Sequence, residues 1–91
     1  MEIRTTARFD RAFKKLPHNI QALVEDKLYQ FEDDWQNPSL RVKRIQGTDR
    51  IWEASVNMSI RFTFEWAEEN GVNICLLRNI GDHDHCLRPP Y

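Results

Sequence analysis

The spacing of apolar residues along this chain changes at Pro38, and that change limits the folds the chain can adopt. Between residues 9 and 35, apolar side chains recur every three or four positions, as on one face of a helix. Beyond Pro38 they alternate with polar ones, most regularly in SIRFTFEW at residues 59–66. Alternation is typical of a strand that buries one of its faces. We therefore predict helices followed by a sheet.

The helical part divides into two helices at Pro17. The apolar residues of the first fall at positions i, i+3, i+4 and i+7 between Phe9 and Leu16. The second carries a longer stripe that reaches Trp35 and ends at the turn sequence QNPS. A segment rich in strand-forming residues, MEIRTT, precedes both helices and is predicted to form a first strand.

Four further strands are predicted in the second part of the chain. Their sequences are LRVKRI, RIWEASV, SIRFTFEW and VNICLL, beginning at residues 40, 50, 59 and 72. The links QGTD, VNMS and EENG are short and turn-like, so they suit antiparallel neighbours. The predicted fold is a single α+β domain over residues 1–91 with the order β-α-α-β-β-β-β. Its two N-terminal helices pack on one face of a mainly antiparallel sheet.

The two faces of that sheet differ in chemistry. Phe62 and Phe64 lie on one face of SIRFTFEW and Arg61 on the other, because successive side chains of a strand point to opposite sides. If the helices cover the phenylalanines, the arginine face is expected to be uncovered. An open sheet face with a central arginine would be a binding surface.

Composition narrows the class of protein. The chain has 91 residues, of which 41% are apolar, and this is enough for one packed core. No apolar run approaches the ~20 residues of a membrane span. The N-terminal MEIRTTARFD lacks the apolar stretch of a signal peptide, so we expect no membrane partner and a cytoplasmic location. In that reducing compartment, Cys75 and Cys86 are expected to be free thiols.

Charge is unevenly distributed, although the formal net charge is only -1. That total gives no overall attraction to nucleic acid or membrane. Basic residues concentrate in residues 1–15 and 38–66, whereas residues 25–34 are mostly acidic. The pattern is compatible with a local basic patch and with an ordinary solvated surface.

The C-terminal GDHDHCLRPPY, residues 81–91, places two histidines, two aspartates and a cysteine within five positions. Such side chains can bind a transition metal. A closed zinc site needs four ligands, however, and the only soft ligands elsewhere are Cys75 and His18. We therefore expect no functional metal here and no other cofactor, and a catalytic role for the stretch is the stronger hypothesis.

The order of these elements, together with three motifs, resembles the RelE/ParE toxin superfamily of type II toxin–antitoxin systems. The motifs are VKRIQG, IRFTFEW and the Gly-x-His of GDH, beginning at residues 42, 60 and 81. The resemblance spans essentially the whole chain, and the tail is similar to that of the YafQ-like branch. It implies a RelE-like fold and a metal-independent, ribosome-dependent mRNA endonuclease, or mRNA interferase, that inhibits translation. The implied partners are a cognate antitoxin and mRNA on the ribosome.

The resemblance also implies roles for individual residues. Arg61 would stabilise the negative charge that develops on the scissile phosphate, a task suited to a permanently charged guanidinium. His83 would transfer a proton, since imidazole can donate or accept one near neutral pH. The residues expected to contact RNA are Lys43, Arg44, Arg41, His85 and Tyr91, the last by stacking on a base.

The general base is not fixed by the resemblance. YafQ-like relatives carry a histidine and an acid where this chain has Ser55 and Ser59. Glu53, Asp82 or His85 would therefore have to accept the proton. Two other functions stay open on these grounds. One is a ParE-like toxin that binds DNA gyrase, and the other is a catalytically weakened toxin that only binds its antitoxin.

Overall fold

The computed structural model describes residues 1–91 as a five-stranded sheet with helices on both of its faces. Its elements are β1 (Glu2–Thr5), α1 (Ala7–Lys14), α2 (His18–Asp33), a 3-10 turn (Pro38–Leu40), β2 (Lys43–Arg44), β3 (Trp52–Ser55), β4 (Ile60–Glu69), β5 (Val72–Asp82) and α3 (His83–Cys86). The strand order is β1-β5-β4-β3-β2. The predicted α+β fold, with two N-terminal helices and a mainly antiparallel sheet, is confirmed.

Local sequence explains how the two long helices begin. Thr6 caps α1, because its side-chain oxygen accepts a hydrogen bond from the Phe9 N–H at 3.2 Å. Pro17 immediately precedes α2, a position where the missing N–H costs nothing. The side-chain amide of Gln21 donates to the carbonyls of Phe13 and Leu16, each at 3.1 Å. These bonds fix the corner between the two helices.

The hairpin of β4 and β5 is the longest ladder in the sheet and runs from the pair Ile60–Asp82 to the pair Glu69–Val72. Asn70 and Gly71 connect the strands with φ angles of 54° and 78°. A two-residue turn with positive φ at both positions matches the twist of the strands, and Asn-Gly is the sequence that adopts it most readily.

The core lies between the helices and the face of β4 that carries Phe62 and Phe64, as predicted. Phe31 of α2 is fully buried and meets both rings edge-on, with centroid distances of 5.3 and 4.9 Å. At the rim, the indoles of Trp35 and Trp66 meet at 5.3 Å. The α2 helix is therefore held to the sheet by aromatic contacts along its length.

The predicted strand at residues 40–45 is wrong in extent. Only Lys43 and Arg44 are in strand geometry. Leu40 instead ends a 3-10 turn and is buried, and Arg41 follows it with a left-handed φ of 48°. The side chain of Asn37 accepts a hydrogen bond from the Ser39 N–H at 3.0 Å, which favours the turn over an extended chain.

The sheet face that carries Arg61 is not uncovered, and this corrects the expectation from sequence. β5 continues to Asp82, whose carboxylate caps α3 and turns the chain back across that face. Cys86 of α3 is fully buried over Thr63, and three more polar residues of the face are buried with it: Glu53, Ser55 and Asn79.

The residues after α3 are tied down by two hydrogen bonds from arginines. Arg78 Nε donates to a backbone oxygen of Tyr91 at 3.2 Å, and Arg8 Nη2 donates to the Pro90 carbonyl at 2.6 Å. Both cysteines are free, as predicted, and both are buried. None of the helices has the length and apolar character needed to cross a bilayer.

Candidate functional site

Arg61 and His83, the two residues expected to be catalytic, lie at the same end of the sheet. Arg61 is paired across the sheet with Ser55 of β3 and with Gly81 of β5. The next pair, Ile60–Asp82, lies at the end of β5. One residue further on, the His83 N–H donates to the Ser59 carbonyl at 2.9 Å. The antiparallel register of β4 and β5 therefore brings together residues that are 22 positions apart in sequence.

The Arg61 guanidinium is anchored on one side and free on the other. Its Nη1 donates to the carbonyls of Asn57 and Ile60, the second at 3.1 Å. It forms no ion pair with Glu53 or Glu65. Nε and Nη2 have no partner in the protein, and they leave three N–H donors for an anion.

Glu65 is instead paired with two other arginines. Arg78 Nη1 lies 3.0 Å from Glu65 Oε1, and Arg50 Nη2 lies 3.8 Å from Glu65 Oε2. Glu65 carries the carboxylate that is closest in sequence to Arg61 on this face of β4, and both ion pairs engage it. Arg61 is therefore left without a carboxylate partner.

The imidazole of His83 projects into solvent, with 62% of its side chain exposed. Asp84 is its nearest carboxylate, but Oδ1 lies 3.7 Å from Nδ1, which is beyond hydrogen-bond distance. Asp82 accepts a hydrogen bond from the backbone N–H of His85 at 2.8 Å and not from an imidazole. The aspartates therefore do not hold the imidazoles by hydrogen bonds, and Asp82 caps α3 instead.

The side chains of His83 and His85 point in different directions. The two residues lie in α3, where positions two apart are separated by about 200° around the helix axis. The His85 ring lies against Gly81, so close that a Cβ at that position would come within 3.0 Å of Cδ2. Since Gly81 and Arg61 are cross-strand neighbours, the imidazole of His85 lies on the same face as the guanidinium.

The environments of the three candidates for the general base differ. Glu53 is 8% exposed beneath the C-terminal segment. Asp82 is exposed, but one of its oxygens is bonded to α3. His85 is exposed and lies beside the Arg61 strand pair. Of the three, His85 is the one that is both accessible and free of a side-chain partner.

The structure separates the remaining residues that were expected to contact RNA. Lys43 pairs with Glu53 across β2 and β3, so it shares the face of Arg61, whereas Arg44 pairs with Trp52 and shares the helix-covered face. Arg41 lines a cleft of about 270 Å3 that also includes Ser55, the cross-strand neighbour of Arg61, and Asn57. Tyr91 lies at the edge of the covered face, where Arg78 holds its backbone oxygen.

A buried polar layer lies beneath α3. Burial raises the pKa of the Cys86 thiol to about 12, with the Thr63 hydroxyl beside it acting in the opposite direction. Neither that hydroxyl nor Nδ2 of the buried Asn79 has a hydrogen-bond partner. A thiol in this environment is neutral at physiological pH and is neither a nucleophile nor a ready metal ligand.

The HDHC sequence does not form a ligand cluster. No group of three or more histidine, cysteine, aspartate or glutamate side chains is arranged to hold a metal ion. Cys86 faces the buried layer, while His83 faces solvent. The helical geometry of α3 thus disperses side chains that are adjacent in sequence.

Sequence reasoning missed Arg78. The register of β4 and β5 steps from Thr63–Asn79 to Phe64–Leu77, so Arg78 is an extra residue in a bulge. Its side chain reaches both Glu65 and Tyr91 and links β4 to the C-terminus. The alternation in β5 gives no sign of the extra residue, because a bulge depends on how the two strands pair.

No protein-family profile matches this sequence, and no curated protein matches it. The geometry, in contrast, matches solved structures. A YoeB/ParE toxin from Agrobacterium tumefaciens superposes with a TM-score of 0.72 at 9% identity, covering 91% of this chain and 99% of the other. The chain has the RelE/ParE toxin fold.

Two further matches to the RelE/ParE fold are structures of complexes. The toxin of the intact Escherichia coli RelBE toxin–antitoxin complex matches with a TM-score of 0.67 and 12% identity over 89% of this chain and 94% of the other. The RelB–RelE antitoxin–toxin complex from Methanococcus jannaschii gives 0.65 and 15% over 89% and 91%. At these identities the likeness concerns the fold, and the site must be argued from its own residues.

Proposed function

We propose that this chain is the toxin of a type II toxin–antitoxin system and acts as a metal-independent, ribosome-dependent mRNA endonuclease. The observation that carries the proposal is the position of Arg61 among the residues around it. The Arg61 guanidinium, with Nε and Nη2 free, lies at the same end of the sheet as two accessible imidazoles, those of His83 and His85. A cation beside two proton-transfer groups meets the chemical needs of phosphodiester cleavage.

In the proposed reaction, the 2′ oxygen of the RNA attacks the adjacent phosphorus. The 2′-hydroxyl proton passes to His85, and the O2′–P bond forms while Arg61 holds the non-bridging oxygens. The P–O5′ bond then breaks, and the leaving oxygen takes a proton from His83. The products are a 2′,3′-cyclic phosphate and a 5′-hydroxyl. His85 gains the proton of the 2′-hydroxyl and His83 loses the proton that the 5′ oxygen takes. Arg61 supplies the positive charge for the phosphorane.

Dependence on the ribosome is compatible with the exposure of the site. Most of the His83 side chain is in solvent, and no deep pocket surrounds it. A flexible message would not be held by such a surface in the geometry that attack requires. Positioning by the ribosome would supply that orientation, which can account for much of the rate of a phosphoryl transfer.

An antitoxin is the second proposed partner, and the cytoplasm the proposed location. Two of the matching structures contain a toxin with its antitoxin, and the same type of complex is proposed for this chain. Co-expression of the tagged toxin with its neighbouring reading frame, followed by affinity purification, tests this point. Recovery of the toxin alone, in a fully folded and monomeric state, would argue against a stable complex.

The endonuclease is tested by primer extension on mRNA in translating ribosomes. Wild-type protein is expected to cut, with or without chelator. Arg61→Ala and His83→Ala are expected to lower the cleavage rate by about 100-fold or more, as for other groups that stabilise or protonate the transition state. Arg50→Ala is the matched control, because Arg50 is an exposed arginine that has no proposed role.

Three results would each contradict part of this proposal. An intact message after treatment with folded wild-type protein would reject the endonuclease, and a DNA gyrase supercoiling assay would then test the ParE-like alternative. Cleavage that survives Arg61→Ala and His83→Ala would reject the mechanism while leaving the activity in place. Cleavage that chelator abolishes would reject the metal-independent chemistry.

A further inference from the structure

A groove of about 380 Å3 separates α1 from the outer edge of β5. Its α1 wall carries Arg8, Arg11 and Lys15, and residues 79–82 of β5 form the other wall together with His85. β1 pairs with β5 only as far as Leu77. The sheet edge beyond that point has no strand beside it, and the groove occupies this position. We refer to it as the α1 groove.

The three cations reach the α1 groove because of their spacing in the helix. Positions 8, 11 and 15 are related as i, i+3 and i+7, so they lie along one side of α1. The buried Phe9 lies on the side that packs against the core. At 1.5 Å per residue, the row is about 10 Å long. It is a line of positive charge along the groove.

The positive charge of the α1 groove is not neutralised within the protein. Arg8, Arg11 and Lys15 take part in no ion pair, and the one hydrogen bond among them runs from Arg8 to the Pro90 carbonyl. The only carboxylate in the lining is Asp82, and it already accepts the His85 N–H. Three permanent cations therefore face one partly engaged anion, on a chain whose net charge is -1.

The α1 groove adjoins the proposed reaction centre. Gly81 is part of its lining and is also the cross-strand neighbour of Arg61. The His85 ring lies against Gly81 and lines the groove as well. A second cleft of about 480 Å3 shares Arg8, Asp82 and His85 and adds Arg88 and Asp84. A strand with its phosphate at Arg61 could thus continue into the groove.

We propose that the α1 groove binds successive backbone phosphates of an RNA strand and positions it without reading its bases. The inference rests on the proposed function, and it adds a binding surface next to the reaction centre. Cations suit phosphates, and the apolar part of the lining consists of Ala12, Leu16 and Ile80, with no aromatic ring on which a base could stack. The strand is either the message itself or ribosomal RNA, since both offer the same phosphodiester.

The test compares neighbouring positions on α1. Lys15 lines the groove, whereas Lys14 is exposed on the same helix and does not. Lys15→Glu and Arg11→Glu are expected to weaken binding of a fluorescently labelled single-stranded RNA by about tenfold each, as expected when a charge-assisted contact is lost. They should also make the logarithm of the affinity less steeply dependent on the logarithm of salt concentration, by about 0.7 per lost phosphate contact.

Lys14→Glu is the matched control for charge and for helix stability. It makes the same charge change in the last turn of the same helix, so general repulsion of RNA would affect it equally. Circular dichroism and thermal melts of the three variants establish that each is folded. If Lys14→Glu weakens RNA binding as much as Lys15→Glu does, or if none of them weakens it on any RNA, the groove is not a phosphate site.

A second measurement distinguishes the two sources of phosphate. Co-sedimentation with vacant ribosomes, which hold no message, reports contacts to ribosomal RNA alone. Loss of the free-strand affinity only would assign the groove to the message, and loss of ribosome binding only would assign it to ribosomal RNA. Neither assay requires cleavage. If the groove variants lose RNA binding but the wild-type protein cuts no message, the phosphate site would stand and the endonuclease would be rejected.

Discussion

Of the four residues in α3, only Cys86 buries its side chain. Its thiol and that of Cys75 are held in the neutral form, because burial raises the pKa of each to about 12. An unfolded cysteine has a pKa near 9.0. Folding therefore favours the protonated thiols, and that contribution to stability is complete below pH 9. It is lost as the pH rises from 9 toward 12.

This difference predicts how stability depends on pH. Between pH 9 and 11 the free energy of unfolding should fall by up to about 1.4 kcal/mol per pH unit for each thiol, since the unfolded state releases the proton first. Urea denaturation at several pH values measures the slope. A variant carrying Cys75→Ala and Cys86→Ala should have a shallower slope in that window. An identical slope in variant and wild type would show that other groups cause the loss.

At the scale of elements, α3 and the residues after it act as a cover for the face of Arg61. The cover is held through Cys86 over Thr63 and through the hydrogen bonds from Arg78 and Arg8 to backbone oxygens near the C-terminus. Few buried contacts secure its last residues, and such segments open at low free-energy cost. Its attachment can be tested through the reactivity of the thiol it buries.

Removal of residues 87–91 should expose Cys86 while leaving the sheet intact. Both hydrogen bonds to the cover are lost in this truncation, so α3 has little left to hold it down. We expect the alkylation rate of Cys86 at pH 8 to rise about tenfold or more, corresponding to at least ~1.4 kcal/mol less protection. Cys75, buried in β5, is the internal control and should remain protected. Equal protection of the two thiols in the truncated protein would contradict this role for the cover.

The sequence predicted which elements form more reliably than how they pair. Apolar spacing located α1, α2 and the strands around Phe62, because periodicity reports which face of an element is buried. Apolar spacing could not indicate that β1 pairs with β5 in parallel, because the alternation of side chains within a strand does not specify which strand lies beside it. The helix of residues 83–86 was also missed. Its cap, Asp82, is recognisable only once the end of β5 is known.

The relative positions of the candidate site residues could be predicted only in part. Arg61 and His83 were identified from a resemblance, and the register of β4 and β5 brings them to one end of the sheet. The proximity of His85 to Gly81 was not predictable, because it depends on the turn that α3 makes after β5. The basic residues of α1 were visible as a local excess of charge, but the groove they line exists only because β1 stops at Thr5.

At the scale of the whole molecule, Phe31 links the helical layer to the sheet. It is fully buried and contacts the rings of Phe62 and Phe64. Phe31→Ala should lower the free energy of unfolding by about 3–5 kcal/mol, a large part of the ~5–15 kcal/mol that holds a small domain together. Urea denaturation measures the change. Tyr29→Ala is the control, because Tyr29 is on the same helix but 74% exposed, and a change above ~0.5 kcal/mol is not expected there.

The strand order has a consequence for synthesis. β5 is the last strand in sequence, yet it lies between β1 and β4 in the sheet. Until β5 has been synthesised, the chain has two separate pieces of sheet with no central strand to join them. Contacts between such distant segments also form slowly. A chain of this topology therefore completes its sheet, and brings Gly81 beside Arg61, only after β5 has been made.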